Sequence, residues 1–160
     1  MISRRIIGEL RKDWSEGMLS DNTAIINDID DIYLSLQNNT FQNKLDISII
    51  NYDYNKHIQL TILFDNTYPF RAPKVKVNTT YNYLELMGTI PYEIVKQETG
   101  LNCLCCNSIL CNWGPSLSIK NIVNECHERL EMKLRQSNIT VAEMCVIKKF
   151  GHYLPIAEFL

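Results

Sequence analysis

Two prolines four positions apart, Pro69 and Pro73, constrain the fold of this chain more than any other feature. Each proline fixes its own backbone φ angle, removes an amide donor and disfavours helix at the preceding residue. Alternating segments rich in β-branched residues lie on either side, at 57–64 and 74–77. The sequence therefore predicts two strands joined by a rigid turn at 68–73, which we call the proline-bounded turn.

Further strands are expected before this pair. Segments 32–37 and 45–51 also alternate and are separated by asparagine-rich turn signals. With the two strands beside the turn, they predict a four-stranded antiparallel meander. A short additional strand at 24–26 is an open alternative within an aspartate-rich connection.

Helices are expected at both ends of the chain. Apolar residues at helical spacing predict one helix over 3–16 and another from Ser118, with a second short helix at 141–150. Residues 78–112 show no clear period and are expected to be irregular, which in a compact domain is typical of a functional segment. With no internal repeat and no low-complexity linker, the sequence predicts a single α+β domain over residues 1–160.

Composition excludes several classes of protein. The chain has 16 Lys and Arg against 18 Asp and Glu, a formal charge of −2, which gives no general reason to bind nucleic acid or an anionic membrane. Its 46% of hydrophobic residues is typical of a packed domain rather than a disordered chain. No apolar run predicts a membrane span, and charges interrupt the N-terminal segment where a secretory signal would need an apolar run.

The six cysteines are unevenly distributed. Four of them lie within nine residues, and the first hundred positions have none. Without a secretory signal, this clustering predicts reduced thiols in a reducing compartment, the cytoplasm or nucleus, and calls for a chemical explanation. The cysteines are Cys103, Cys105, Cys106, Cys111, Cys126 and Cys145.

A tryptophan segment, Trp113-Gly114-Pro115-Ser116-Leu117-Ser118, follows the clustered cysteines and opens the second predicted helix. The order of a basic first helix, a Tyr68-Pro69-Phe70 turn, cysteine and this segment resembles the ubiquitin-conjugating enzymes over about residues 2–130. The resemblance implies the ubiquitin-conjugating fold, with an N-terminal helix, a four-stranded meander and C-terminal helices.

The resemblance also implies an acyl-transfer activity centred on a cysteine thiol. In the family the active cysteine lies eight residues before the tryptophan, which here gives Cys105, and Asn107 then takes the place usually held by Asp or Asn. Two other anchors stay open. The family's Gly-x-x-Cys-Leu pattern fits Gly100 and Cys103, and its Cys-x-x-Ile-Leu pattern fits Cys106.

The main departure from the family concerns stabilisation of the oxyanion. The family's His-Pro-Asn motif is absent. Counting back from Cys105 places Val95, Lys96 and Gln97 at the motif, with Gln97 at its asparagine, while counting forward from the turn reaches Asn82, Tyr83 and Leu84. The two counts differ by about ten residues, which indicates an insertion at 85–95. A glutamine amide can donate to an oxyanion, so Gln97 is the candidate, with an ordinary surface glutamine as the alternative.

The resemblance further implies a shared surface for partner proteins. The matching positions are Arg4, Arg5, Phe70, Pro115 and Ser116. The expected partners are ubiquitin or a ubiquitin-like protein, the activating enzyme and a ubiquitin ligase. No small-molecule cofactor is implied, because the activating enzyme uses the ATP. The divergence and the Asn- and Ile-rich composition are typical of a fast-evolving gene such as a viral one, whose product would act in the host cell.

Two alternatives stay open from the sequence. The first is a catalytically degenerate adaptor of the same fold that binds ubiquitin or a partner without transferring it. The second is a zinc site, since Cys103 and Cys106 have ligand spacing and Cys111, Cys126 or His127 are available to complete it.

Overall fold

The computed structural model describes residues 2–13, 18–20, 23–25, 44–52 and 55–150. Two compact units are distinguished, Met1–His127 and Glu128–Leu160, and all site contacts given below lie within the first. The regular elements in chain order are α1 (Ile2–Asp13), β1 (Met18–Ser20), β2 (Thr23–Ile25), β3 (Lys44–Asn51), β4 (Lys56–Leu63), β5 (Lys74–Val77), β6 (Tyr81–Asn82), α2 (Tyr83–Gly88), α3 (Tyr92–Thr99) and α4 (Ile119–Phe150).

The strands form one sheet in which each pairs antiparallel with the next along the chain. The α+β class and the antiparallel meander are thereby confirmed. Strands β3, β4 and β5 lie where the alternation predicted them, and β2 matches the short strand considered at 24–26 to within one residue. The predicted strand at 32–37 lies outside the described residues.

Alternation works here because the register pairs apolar residues across neighbouring strands. Ile47 lies opposite Leu60, and Leu45 lies opposite Ile62, with all four side chains buried. Between these pairs, the Thr61 hydroxyl donates a 2.7 Å hydrogen bond to Asp46. One face of the strand pair is therefore fixed in the core, since a one-residue slip would turn every apolar side chain outward.

Residues 78–112 are more regular than the sequence indicated, and that expectation is wrong in part. The Asn82 side chain accepts from the backbone amides of Leu84 and Glu85 and so caps α2. Gly100, with φ of 72°, ends α3 in the left-handed conformation that glycine adopts without strain. Both helices are too short to show a clear apolar period, so their caps rather than their periodicity define them.

The C-terminal expectation of two separate helices is also wrong, because α4 runs without a break to Phe150. Its start is one residue from the predicted one. No glycine or proline lies between Ile119 and Phe150, so nothing in the sequence forces an interruption. In the part of the chain that is described, no helix combines the length and apolar character needed to span a bilayer.

Candidate active site

The proline-bounded turn is held from its N-terminal side. Both the backbone amide and the hydroxyl of Thr67 donate to the Asp65 carboxylate. These bonds favour the charged form and lower the pKa of Asp65. The Tyr68–Pro69 peptide bond is cis, and the Phe70 ring beyond it is 76% exposed. The turn thus presents a large aromatic ring to solvent.

Trp113 ties the tryptophan segment (113–118) to this turn. Its indole Nε1 donates a 2.7 Å hydrogen bond to the Pro69 carbonyl, and its ring lies 6.1 Å from that of Tyr68. The Tyr68 ring in turn packs edge-to-face against Phe64, with ring centroids 4.8 Å apart. Two segments that the sequence places 44 residues apart are therefore joined at one point.

Glu9 of α1 connects the same region to two further elements. It is a buried carboxylate, with 8% of its surface exposed. Its carboxylate accepts from the Tyr68 hydroxyl at 2.8 and 2.9 Å, from the Ile119 backbone amide at 2.9 Å and from Arg5 Nε. Burial and the adjacent carboxylate both raise the pKa of the Tyr68 hydroxyl well above its ordinary value. One carboxylate thereby joins α1, the turn and the start of α4.

Four of the five predicted partner-binding residues line one groove of about 720 Å³. These four are Arg4, Arg5, Pro115 and Ser116, and Arg5 Nη2 donates a 3.0 Å hydrogen bond to the Pro115 carbonyl. The groove's charged lining residues comprise four basic side chains and one acidic side chain, Glu9. We call this surface the basic groove. The remaining predicted residue, Phe70, does not line it but lies on the turn that Trp113 tethers.

The cysteine loop, residues 103–112, is curled by its own hydrogen bonds. The Cys103 carbonyl accepts from the backbone amide of Asn107 at 3.3 Å and from its side-chain Nδ2 at 2.7 Å. The Asn112 side chain donates to the carbonyls of Cys106 and Ser108, both at 3.0 Å. The exposed side chain of Asn107, predicted as a site residue, therefore braces the loop around the cysteines.

Glu125 of α4 anchors this loop from below. Its carboxylate accepts from the Ser108 hydroxyl at 2.7 Å, the Ile109 backbone amide at 3.0 Å and the Tyr83 hydroxyl at 3.2 Å. Glu9 and Glu125 thus have the same structural role, since the carboxylate of each joins its helix to a segment distant in sequence. Neither was identified from the sequence, because a single glutamate on a helix gives no local sign of its burial or its partners.

Three thiol sulfurs meet on the outer side of the loop. Cys103 Sγ lies 2.9 Å from Cys105 Sγ, which lies 3.8 Å from Cys106 Sγ, and all three are within 4.8 Å of one another. We call these three residues the thiol trio. Cys103 and Cys105 are half-buried, Cys106 is exposed, and all three are reduced.

Two members of the trio, Cys103 and Cys105, differ in the pKa of their thiols. Hydrogen bonds from the Cys105 thiol, and from the backbone amide and thiol of Cys106, lower the pKa of Cys103 to about 7. The hydrogen bond with Cys103, together with burial, raises the pKa of Cys105 to about 11. Of these two cysteines, Cys103 is the one that ionises at the lower pH.

A cavity of about 230 Å³ opens beside Cys103. Leu104, 1% exposed, holds the loop against the core at this point. The cavity is otherwise lined mainly by apolar residues of α2, α3 and the segment between them, together with Asn102. A reactive sulfur, an apolar wall and one side-chain amide are thus brought to one place.

Lys96 connects α3 to this cavity. Its Nζ donates to the Gly100 carbonyl at 3.1 Å and to Asn102 Oδ1 at 3.3 Å. Gln97, the predicted oxyanion donor, is an exposed residue of the same helix and does not line the cavity. Asn82, the first residue reached by the forward count from the turn, caps α2.

The ligand set expected for zinc differs from the one that the structure brings together. Within the described residues, Cys105 joins Cys103 and Cys106, whereas Cys111, Cys126 and His127 are not part of the group. Cys126 is fully buried.

Comparisons of the chain with protein-family models, with curated proteins and with solved structures find no match.

Proposed function

We propose that this chain is a ubiquitin-conjugating enzyme that carries ubiquitin or a ubiquitin-like protein as a thioester on its cysteine loop. The observation that carries the proposal is the joining of α1, the proline-bounded turn and the tryptophan segment through Glu9 and Trp113. These are the segments on which the sequence resembles the family. Their joining through these contacts, with the cysteine loop directly before the tryptophan segment in the chain, supports a shared role.

The first step of the chemistry requires a cysteine thiolate. The cysteine thiolate of this chain attacks the carbonyl of the thioester that the activating enzyme carries. A new carbon–sulfur bond forms to this chain, and the thiolate of the activating enzyme leaves. In the second step a lysine amine attacks the new thioester, loses its proton to solvent or a base, and releases the thiolate again. Thioester exchange is nearly neutral in free energy, so the protein's task is positioning.

Two observations support Cys103 as the position of the thioester, although the spacing to Trp113 predicts Cys105. Gly100 and Leu104 are the residues that match the Gly-x-x-Cys-Leu anchor around Cys103; the first adopts the left-handed conformation and the second is buried. Cys103 also lines the cavity, whereas Cys105 does not. We therefore place the acyl group on Cys103 and assign Cys105 as its hydrogen-bonding neighbour.

Asn102 supplies the amide that this proposal requires near the carbonyl. It lines the cavity with Cys103, and Lys96 binds its Oδ1, which leaves Nδ2 available to donate. Loss of one oxyanion donor costs about 10²–10³-fold in rate in other acyl-transfer enzymes. We expect Asn102→Ala to slow transfer to lysine by about 10²-fold, and Gln97→Ala, on the exposed face of α3, to leave it unchanged.

The charge of the basic groove favours a partner protein with an acidic surface. Four basic side chains in one groove attract and orient an acidic protein, and the exposed Phe70 ring provides an apolar contact on the tethered turn. By the resemblance, the partners would be the activating enzyme and a ligase. Charge reversal at Arg4, which is exposed, should therefore slow charging, and raising the salt concentration should reduce the difference from wild type.

A charging assay tests the proposal. The reduced protein is mixed with activating enzyme, ATP and ubiquitin, and a thiol-sensitive adduct is sought on a non-reducing gel. The adduct should be lost in Cys103→Ser and persist in Cys111→Ser, a matched change on an exposed cysteine of the same loop. Loss only in Cys105→Ser would keep the function and move the site. Binding of ubiquitin without any adduct would instead support the adaptor alternative, which the missing His-Pro-Asn motif favours.

A further inference from the structure

The thiol trio brings together more sulfur than thioester chemistry uses. A single thiolate suffices for acyl transfer, yet three sulfurs from four consecutive residues lie within 4.8 Å of one another. Thiolates are the preferred ligands of soft and borderline metal ions such as Zn²⁺. The arrangement therefore has a second chemical capacity.

We propose that Cys103, Cys105 and Cys106 bind one Zn²⁺ ion through three thiolates, with the fourth coordination position open to solvent. Three zinc–sulfur bonds form, and the thiol protons are released to the buffer. Water completes the tetrahedron at the outer face, where Cys106 is exposed.

The distances need only a small adjustment to accept the ion. With zinc–sulfur bonds of about 2.3 Å, the sulfurs of a tetrahedral site lie about 3.8 Å apart. The Cys105–Cys106 separation is 3.8 Å already, and the Cys103–Cys105 separation is 2.9 Å. The second distance has to open, and the Cys103–Cys106 separation, which is within 4.8 Å, has to come to about the same value; side-chain rotations on this partly exposed loop would do both.

The backbone of the loop is prepared for this role. Asn107 and Asn112 hold the carbonyls of Cys103 and Cys106, and Glu125 fixes Ser108 and Ile109 beyond them. The ligands are therefore carried on a braced loop rather than on a flexible one, which lowers the entropy cost of binding.

A bound ion would also control the proposed acyl transfer, and this consequence rests on the proposed function. A sulfur that coordinates Zn²⁺ has no free lone pair of comparable reactivity for the thioester carbonyl. Metal loading would thus protect the trio from oxidation and prevent charging until the ion is removed.

Metal titration of the full chain tests the site without any ubiquitin. The protein is reduced with a phosphine, freed of metal and titrated with Co²⁺ while the near-ultraviolet sulfur-to-cobalt charge-transfer band is followed, and Zn²⁺ is then added in competition. We expect saturation at one ion per chain and displacement by Zn²⁺. Each of Cys103→Ser, Cys105→Ser and Cys106→Ser should weaken Zn²⁺ binding by more than about 100-fold, because loss of a group that only orients a ligand already costs 10–100-fold.

Cys111→Ser is the matched control and should bind as the wild type does, with circular dichroism confirming that each variant is folded. No charge-transfer band, or a band that survives in all three single variants, would overturn the inference. A charging assay with and without Zn²⁺ separates the two proposals. A chain that charges but binds no metal loses only this inference, and a chain that binds metal but never charges with the metal removed loses only the proposed function.

Discussion

Replacing Glu9 with glutamine removes the charge from the contact that joins α1, the proline-bounded turn and the start of α4. The carboxylate has three donors in the structure, Tyr68, Arg5 and the Ile119 amide, and no acidic residue lies in the first turn of α4. Glu9 therefore supplies the negative charge that favours a helix N-terminus there.

The expected loss in free energy of unfolding depends on which of the three donors the side-chain amide of glutamine can still bind. Glutamine has one acceptor oxygen, and the buried Ile119 amide has no access to water, so the oxygen should turn toward Ile119. The Arg5 side chain, 41% exposed, then loses its acceptor and turns to solvent. A hydrogen bond to a charged group contributes about 1.5–3 kcal/mol, so Glu9→Gln should lower the free energy of unfolding by about 2 kcal/mol.

Glu9→Ala should cost more, because it leaves the Tyr68 hydroxyl and the Ile119 amide both buried without an acceptor. At about 1–3 kcal/mol for each unsatisfied group, the expected loss is about 4 kcal/mol. With a urea m-value of about 2 kcal/mol/M, the unfolding midpoint should fall by about 1 M for glutamine and about 2 M for alanine.

Urea unfolding followed by circular dichroism measures these shifts. Glu128→Gln, the same chemical change on an exposed residue in the interior of α4, should stay within about 0.5 kcal/mol of wild type. A double-mutant cycle with Tyr68→Phe should give a coupling of at least about 1 kcal/mol. If Glu9→Gln unfolds at the wild-type midpoint, or the cycle shows no coupling, Glu9 does not hold these three elements together.

The remaining predictions concern the loop, the turn and the thiols. Glu125→Ala should lower the free energy of unfolding by about 3 kcal/mol, because the Ser108 hydroxyl and the Ile109 backbone amide both lose their acceptor. Urea unfolding measures this loss, and an effect below about 1 kcal/mol would contradict it. Phe70→Ala should leave stability within about 0.5 kcal/mol, since the ring is exposed, yet reduce the charging rate; an unfolding defect would show a core role instead. With a metal chelator present, alkylation of Cys103 should increase as the pH rises through about 7, whereas alkylation of Cys105 should increase only near pH 11, because their hydrogen bond lowers the pKa of Cys103 and raises that of Cys105. Both cysteines lie on one peptide, so fragment-ion mass spectrometry measures the two rates, and equal rates would contradict this.

The strands were predictable because one local rule determines them. In 45–51 and 57–64, every second side chain is apolar, and the register Ile47–Leu60 places that set in the core. Pro69 and Pro73 likewise act through their own rings, independent of distant contacts. The start of α4 was predictable to one residue for the same reason, since its apolar spacing begins at once.

The elements between β5 and the cysteine loop were not predictable in this way. Helices α2 and α3 depend on a cap at Asn82 and a left-handed Gly100, and neither signal is distinctive without the backbone angles. The continuity of α4 was missed because Ser137 and Asn138, which favour helix termini, lie in its interior.

The cysteine spacing shows the same limit at the site. Positions 103, 105 and 106 give no indication of which sulfurs meet, because that depends on how the loop curls. The curl is set by the Asn107 amides on the Cys103 carbonyl and by the Ser108 amide on the Cys105 carbonyl. Of the five residues that the resemblance assigns to a partner surface, Arg4, Arg5, Pro115 and Ser116 line the basic groove, and their binding role stays a prediction.

The most direct test of the central claim is the intact mass of the chain after charging. Metal-free protein is incubated with activating enzyme, ATP and ubiquitin, then measured with and without a thiol reductant beside a conjugating enzyme known to charge. We expect a mass increase of one ubiquitin minus one water that the thiol reductant removes, and no such reductant-sensitive increase in Cys103→Ser. No mass increase with ubiquitin or any ubiquitin-like protein, while the control enzyme charges in the same mixture, would contradict it.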